Sequence, residues 1–347
     1  MRAAVLYGPG DLRVAEVADP TPGPGELKVQ VAACGICGTD LHLYRGAGLR
    51  QPSHHSPFVI GHEFAGTVLE VGAGVETPAG TPVAVRPLVA CGACPACAAG
   101  HPNVCVRLRF HGVSPDLPGG MAEFAVVRAD MVHVLPTSIT ADHAALVEPL
   151  SVGLHAVRQG LAPLAGADPS GVTAAVFGAG PIGIAIFLCL RALGVGEISV
   201  VEPSEMRRAA IAQLGAATVI DPTAADVRDE IRRRTGGAGA DVVFETAGKA
   251  RAFTDAERVT ARRGRLVIVA TYEEPVSFDP FFTVSTERTI TGALGYRRAD
   301  FDDVIALFPD LRRGLDAWVT TIDLADIVAE GFEALGAQRA MKLLVRP

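Results

Sequence analysis

Nineteen consecutive residues without a charge, Val172 to Leu190 (VTAAVFGAGPIGIAIFLCL), constrain this chain more than any other stretch. That is about the length that spans a bilayer. Gly178, Gly180, Pro181 and Gly183 fall in its middle, where a spanning helix would be broken, while β-branched Val172, Thr173 and Val176 precede them and a helical pattern comes after. The run therefore reads as strand, tight turn and helix, not as a membrane span. Downstream segments keep that rhythm: strands EISVVE, ATVI, DVVFET and RLVIVA alternate with helix-length segments such as SEMRRAAIAQLG and DVRDEIRRRTG. Such alternation marks βαβ units and a parallel sheet buried on both faces.

The first 150 residues show another pattern, with short strands AAVLY, LKVQVAA, HEFAGTVLEVG, TPVAV, MAEFAVV and MVHVL separated by Gly and Pro. This predicts a β-rich, barrel-like domain. The segment LAPLAGADPSG, residues 161 to 171, reads as the surface connection into the parallel sheet. After about Tyr296 the alternation stops, and a helix, LADIVAEGFEALG, and a terminal strand, MKLLV, are expected. The fold class is α/β: a β-rich domain plus a doubly wound parallel sheet. A chain of 347 residues, 49% hydrophobic, has enough apolar surface for two cores.

A net charge of −7, with no basic patch or long like-charge run, makes neither nucleic acid nor an anionic membrane surface an expected partner. Small neutral or cationic ligands remain open. The opening MRAAVLYGPGDLRV carries no export pattern, so a reducing cytoplasm is the expected location.

Gly178, Gly180, Pro181, Ile182 and Gly183 form a G-x-G-x-x-G turn after the first strand of the sheet. The first glycine permits the turn, the second lets a pyrophosphate approach the backbone, and the third lets helix and strand pack closely. The helix N-terminus adds unpaired N–H groups and a positive dipole. Alone the motif is weak, since glycine-rich turns without a ligand are common. Its context strengthens it: the next strand ends in Glu202, nineteen residues beyond Gly183, where a carboxylate can accept from both hydroxyls of an adenosine ribose. A 2′-phosphate there would meet like charge, so NAD is expected over NADP. Arg207 is either a phosphate partner or a solvated helix arginine.

Cys91, Cys94, Cys97 and Cys105, spaced C-x2-C-x2-C-x7-C, hold four of the seven cysteines. Two disulfides or an iron–sulfur cluster are the alternatives to zinc. A reducing compartment disfavours disulfides, and C-x2-C pairs suit thiolates converging on one ion. Four sulfurs complete a tetrahedral shell with no place for substrate, so this zinc would be structural. Cys189, in the apolar helix, reads as core.

Cys37 in CGICGTDLH, His62 and Glu63 in GHE, and Glu148 in VEPLSVGLH are singly unremarkable. Taken in order, CGICGTDLH, GHE, the four-cysteine lobe, EPLSVGLHA and GAGPIG resemble the zinc-dependent medium-chain alcohol and polyol dehydrogenases, in the sorbitol and butanediol branch. The resemblance covers essentially the whole chain. It implies a GroES-like catalytic domain of residues 1–153 and 297–347, with a structural zinc lobe at about 88–108, and a Rossmann domain of residues 154–296. It also implies an active site in the cleft between them, and a homodimer or homotetramer that pairs Rossmann edges near RLVIVA and TITGAL. His54 and His55, in QPSHHSPF, read as solvated loop residues, with the cleft mouth as the alternative.

By the same resemblance the chain holds two zinc ions. Cys37 and His62 match thiolate and imidazole ligands of a catalytic zinc, and Glu148 falls where polyol relatives carry a glutamate ligand. Glu63 is the other candidate carboxylate, and the choice stays open. A carboxylate in place of a thiolate makes a harder, more labile shell. The implied reaction is hydride transfer from a zinc-bound alkoxide to NAD, interconverting a secondary alcohol or vicinal diol and its ketone, with Thr39 and His42 as a proton relay. Sorbitol-acting relatives place an aromatic after the relay histidine and an arginine before a late tyrosine. Here Leu43 follows His42 and Gly295 precedes Tyr296, which favours a smaller diol or hydroxyketone. The run CGTDLHLY also resembles threonine dehydrogenases, although no ammonium-binding carboxylate is evident. A zinc-free reductase and a non-catalytic relative of this fold are the other readings, and the persistence of Cys37, Thr39, His42, His62 and Glu148 opposes both.

Overall fold

The N-terminal sequence builds short strands because apolar side chains alternate between glycine and proline breaks. In the computed structural model, which describes residues 1–46, 57–216 and 218–347, these strands form one unit, Met1–Glu148 with Arg297–Pro309 and Trp318–Pro347. His54 and His55 lie outside the described residues. In chain order come β1 (Arg2–Gly8), β2 (Asp11–Glu16), β3 (Glu26–Gly35), helix α1 (Gly38–Tyr44), β4 (Phe58–Val59), β5 (Glu63–Val71), β6 (Pro82–Val85), β7 (Leu88–Val89), α2 (Pro95–Ala98), β8 (Arg109–Phe110), β9 (Phe124–Arg128), β10 (Val132–Val134), α3 (Ala141–Ala144) and α4 (Val147–Leu161).

The second unit, Pro149–Tyr296 with Asp310–Ala317, carries the predicted alternation. Its elements are β11 (Thr173–Phe177), α5 (Pro181–Ala192), β12 (Glu197–Val201), α6 (Glu205–Gln213), β13 (Thr218–Ile220), α7 (Val227–Arg234), β14 (Ala240–Glu245), α8 (Ala250–Val259), β15 (Thr260–Ile268), α9 (Pro280–Thr286) and β16 (Thr289–Gly292). All pairs are parallel in the order β13-β12-β11-β14-β15-β16, so the order reverses between β11 and β14. The core includes Phe177, Val201, Val243, Phe253 and Leu266. The uncharged run of the sequence is β11, the glycine turn and α5, and among the described residues no helix is long and apolar enough to cross a membrane.

The chain ends with α10 (Arg298–Leu311), β17 (Val319–Asp323), α11 (Glu333–Gly336) and β18 (Lys342–Arg346). In the first unit β18 pairs with β3 in the sheet β10-β6-β5-β3-β18-β17, and β9 also pairs β3. Leu27, Val29, Phe64, Val83, Met121, Leu343 and Val345 fill its core. Two features of this last stretch depart from the sequence expectation. Helix α10 and strand β17 are additional to it, although buried Phe301, Val304, Phe308 and Leu311 carry the spacing of one helix face. The expected single helix LADIVAEGFEALG is a 3-10 turn at Leu324–Asp326, a π-helix at Ile327–Phe332 and then α11. Gly331 lies so close to Ile36 that a Cβ there would stand 2.9 Å from Ile36 Cδ1, and the wider turn seats the backbone against that side chain.

Candidate metal and cofactor sites

Cys37 stands just outside α1 with extended backbone (φ −102°, ψ 160°), where the chain leaves β3. β3 pairs antiparallel with β5 so that Gly35 faces Glu63, and a Cβ on Gly35 would fall 2.0 Å from Glu63 Oε2. Only glycine leaves that carboxylate room. His62 precedes β5 and follows Gly61, whose φ of +97° reverses the chain where a Cβ would meet Cys34 Sγ at 2.7 Å. Ligand atoms of Cys37, His62 and Glu63 come within 4.8 Å of one another. Glu148, buried in the first turn of α4, is not one of this trio, but its charge reaches Lys342.

Two further residues, to which the sequence reading assigns no role, shape the trio. Asp40 is fully buried: Oδ2 accepts the Cys37 N–H at 2.8 Å, and Oδ1 lies 3.4 Å from His62 Nδ1. Neither Asp40 Oδ1 nor His62 Nδ1 has a hydrogen bond among the described residues. An acid three residues into a helix is an N-terminal capping signal, so Asp40 was findable. Lys342, from β18, donates to Glu63 Oε2 and to the Ile36 carbonyl at 3.0 Å. Nothing local in MKLLV announces that role.

Burial opposes a proton on His62, yet Asp40 and Cys37 outweigh it and hold the imidazole pKa well above its ordinary value. Burial likewise opposes the charge on Lys342, and Glu63, Cys37 and Glu148 reverse that and raise its pKa. Asp40, Glu63 and Glu148 are buried carboxylates, and the charges of Glu63 and Glu148 reach the buried Lys342 ammonium. Thiolate, imidazole and carboxylate converging in a buried region are donors that suit zinc. Thr39 and His42 lie three apart on α1, hence on one face, and both are half-buried. Leu43 packs against the core and Tyr296 is buried.

The four-cysteine lobe hangs between β7 and β8, which pair Leu88 with Phe110 and Val89 with Arg109. The Sγ atoms of Cys91, Cys94, Cys97 and Cys105 lie within 4.8 Å of one another. Cys94 Sγ is 3.5 Å from Cys97 Sγ and 3.9 Å from Cys105 Sγ, far beyond a disulfide bond of about 2.05 Å. Backbone N–H groups point at the sulfurs, those of Cys91 and Arg107 reaching Cys105 Sγ at 3.3 Å each. The N–H groups of Ala93 and Cys94 pull the Cys91 thiol down to about 5, while burial and the neighbouring Cys94 push Cys97 up to about 12. Backbone N–H groups lower the Cys94 thiol as well, and two thiols so disposed among four converging sulfurs fit a closed tetrahedral metal shell.

In the second unit Gly178 has φ +100°, and a Cβ on Gly183 would stand 1.9 Å from the Gly178 carbonyl oxygen. Gly180 caps α5, with Pro181 and Ile182 opening the helix. A Cβ on Gly180 would meet only Arg207 Nη1, at 3.9 Å. The protein itself therefore does not demand a glycine at 180; a phosphate brought onto the backbone would. Buried Glu202 accepts from Ala179 N–H at 2.7 Å and Ser204 N–H at 2.9 Å, tying the β12 turn to the glycine turn. Arg208 is engaged with Asp221 at 2.9 Å, whereas Arg207 Nε is buried without a hydrogen bond among the described residues.

Residues 23–137 match the family described as the alcohol dehydrogenase GroES-like domain, and residues 181–310 that described as zinc-binding dehydrogenase. The (R,R)-butanediol dehydrogenase of Bacillus subtilis (strain 168) is 36% identical over 362 residues, covering 100% of each chain. The 2-dehydro-3-deoxy-L-galactonate 5-dehydrogenase of Pseudoalteromonas atlantica is 36% identical, over 99% of this chain and 98% of that one. A short chain alcohol dehydrogenase of Escherichia coli CFT073, solved with NADH, matches with TM-score 0.89 at 28% identity, over 100% of this chain and 99% of the other. The chain belongs to the zinc-dependent medium-chain dehydrogenases, in their polyol and butanediol branch. It is an alcohol or diol oxidoreductase acting on a small molecule, built from a GroES-like domain and a Rossmann-type parallel sheet.

Proposed function

We propose that this enzyme interconverts a small vicinal diol, or a related secondary alcohol, and its hydroxyketone or ketone with NAD as hydride acceptor. The observation that carries the reading is the trio Cys37, His62 and Glu63, whose ligand atoms lie within 4.8 Å of one another. Cys37, His62 and one carboxylate, Glu63 or Glu148, would hold the catalytic zinc, and Cys91, Cys94, Cys97 and Cys105 the structural one. Zinc, when bound at the first site, lowers the pKa of a substrate hydroxyl and so favours loss of hydride from the carbon that bears it. Asp40, with Oδ1 3.4 Å from His62 Nδ1, would steer the imidazole by its charge, as the partner of a metal-binding imidazole commonly does. Lys342 holds one oxygen of Glu63 and leaves the other for a ligand or for water. Thr39 and His42, on one face of α1, pass the hydroxyl proton outward.

The turn of Gly178, Gly180, Pro181, Ile182 and Gly183 would take the pyrophosphate, with Arg207 beside it, and Glu202 the adenosine ribose, which favours NAD. Domain limits at residues 1–153 with 297–347 and at 154–296 belong to the same reading. So does a reducing cytoplasm, where seven free cysteines persist. A homodimer or homotetramer would pair copies at β16, the open edge of the parallel sheet, beside Phe281 and Val284, which are 69% and 76% exposed.

Butanediol is the favoured substrate because Leu43 and Gly295 replace the larger groups of sorbitol-type sites. A hydroxyl of a sugar acid is the second reading, favoured by the equally similar Pseudoalteromonas enzyme. The test is metal analysis with NADH production from 2,3-butanediol, sorbitol, threonine, glycerol, ethanol and a 3-deoxy sugar acid. Two zincs per chain and the largest kcat/KM with butanediol are expected. One zinc, with no NADH from any alcohol, would leave a binding protein.

A further inference from the structure

Glu245, the last residue of β14, is fully buried, and no cation partners it among the described residues. Its Oε1 accepts from the N–H groups of Ala247 at 2.8 Å and Gly248 at 3.0 Å, and its Oε2 accepts from the Tyr272 hydroxyl. Its main-chain carbonyl accepts from Val269 at 2.9 Å and Ala270 at 3.1 Å. One residue thus ties the turn after β14 to the segment after β15.

That turn also packs onto the glycine turn. Thr246 Oγ1 donates to the Phe177 carbonyl at 2.8 Å, and a Cβ on Gly178 would stand 2.8 Å from the same Oγ1 and 3.3 Å from Ala247 N. On its other side Gly248 has φ +63°, and a Cβ there would meet the Thr271 carbonyl at 2.8 Å. The Tyr272 ring meets Phe253 edge-on at 6.4 Å. Burial pushes the Glu245 pKa up, against the pull of Tyr272 and the two N–H groups. A buried carboxylate is costly unless its hydrogen bonds are made, so the three that Glu245 accepts hold both turns to it.

The sheet topology places these two turns. Strand order reverses between β11 and β14, and ligands of doubly wound sheets bind outside the carboxyl ends of the strands at such a reversal. With the ribose of the adenosine on the β12 side, at Glu202, the nicotinamide half runs toward β14 and β15. We propose that Glu245 and Tyr272 are positioning residues that set the β14 and β15 turns for the nicotinamide half of the cofactor. The proposal rests on the dinucleotide reading of the glycine turn.

The test compares NADH with ADP-ribose, which lacks the nicotinamide, by calorimetry on the full chain. Tyr272→Phe, which removes a hydrogen bond to a charged group, should weaken NADH about tenfold and raise KM for NAD with little change in kcat. ADP-ribose affinity should stay unchanged, while Tm falls with the hydrogen bond lost to the buried carboxylate. Glu245→Gln, whose amide still accepts from Ala247 and Gly248 and still meets the Tyr272 oxygen, should bind NADH nearly as the wild type does. Equal losses for NADH and ADP-ribose in Tyr272→Phe would reduce the pair to general stability, and no loss for either would also overturn the proposal. Failure of the wild type to bind ADP-ribose would instead remove the dinucleotide reading, and the proposal with it.

Discussion

A Cβ on Gly183 would stand 1.9 Å from the carbonyl oxygen of Gly178, a backbone atom that cannot step aside, whereas one on Gly180 would meet nothing nearer than Arg207 Nη1 at 3.9 Å. The two glycines therefore serve different ends. Gly183→Ala should cost about 1–3 kcal/mol of stability as overpacking, read by thermal unfolding. Gly180→Ala, at φ −73° and ψ −178°, should keep the wild-type Tm and lose NADH affinity by tenfold or more, about 1.4 kcal/mol. Wild-type NADH affinity in Gly180→Ala would count against phosphate binding there.

His42→Ala should slow alcohol oxidation most at low pH, where the outward proton transfer is hardest. Added imidazole or another buffer base should restore part of the rate, since a positioned base typically contributes about 10²–10⁴-fold. Pre-steady-state NADH formation across pH is the measurement. An unchanged pH profile would take His42 out of the relay.

In the zinc-stripped protein Cys91, with its thiol held near 5, should be alkylated first at pH 7, and Cys97, held near 12, last. Mass spectrometry of iodoacetamide-treated protein reads the order, and zinc should block both. The two thiols also give stability opposite pH dependences. The depressed Cys91 contributes stability above the ordinary 9.0 that fades as pH falls toward about 5, and the elevated Cys97 contributes below 9.0 and fades as pH rises toward about 12. Indifference of Cys91 to zinc would contradict the closed shell.

Lys342→Met leaves the Glu63 carboxylate buried without its counter-ion, which should cost about 3–5 kcal/mol. Urea unfolding with and without chelator would show the loss, which should shrink when zinc supplies the positive charge. In the wild type the raised lysine pKa puts the pair's contribution in place below the ordinary 10.5 and removes it only as pH rises beyond that. Equal stability of the two proteins in chelator would show that Glu63 does not depend on Lys342.

Features carried by one local stretch were legible in the sequence: the glycine turn with Glu202 nineteen residues on, and the cysteine spacing, which needs only a hairpin to close. Cys37 and His62 were legible as motifs, since Gly61 and the turn after β3 deliver them to one place. Asp40 carried a capping signal and helix α10 a face spacing, both open to a closer look at the same residues. Lys342 and Tyr272 carried none. A lysine in a short apolar strand and a tyrosine after another acquire meaning only through register, Lys342 through the pairing of β18 with β3 and Tyr272 through that of β15 with β14. No periodicity along the chain encodes such pairings. The π-helix at Ile327–Phe332 was hidden for the same reason, since it answers to Ile36 far upstream.

Glu63 and Lys342 are separated by 279 residues. During translation the strand bearing the acid leaves the ribosome long before the strand that neutralises it. Strands β5 and β9 can pair with β3 before then, but until β18 is made the end of β3 at Cys34 and Gly35 lacks that partner and Glu63 lacks its ammonium.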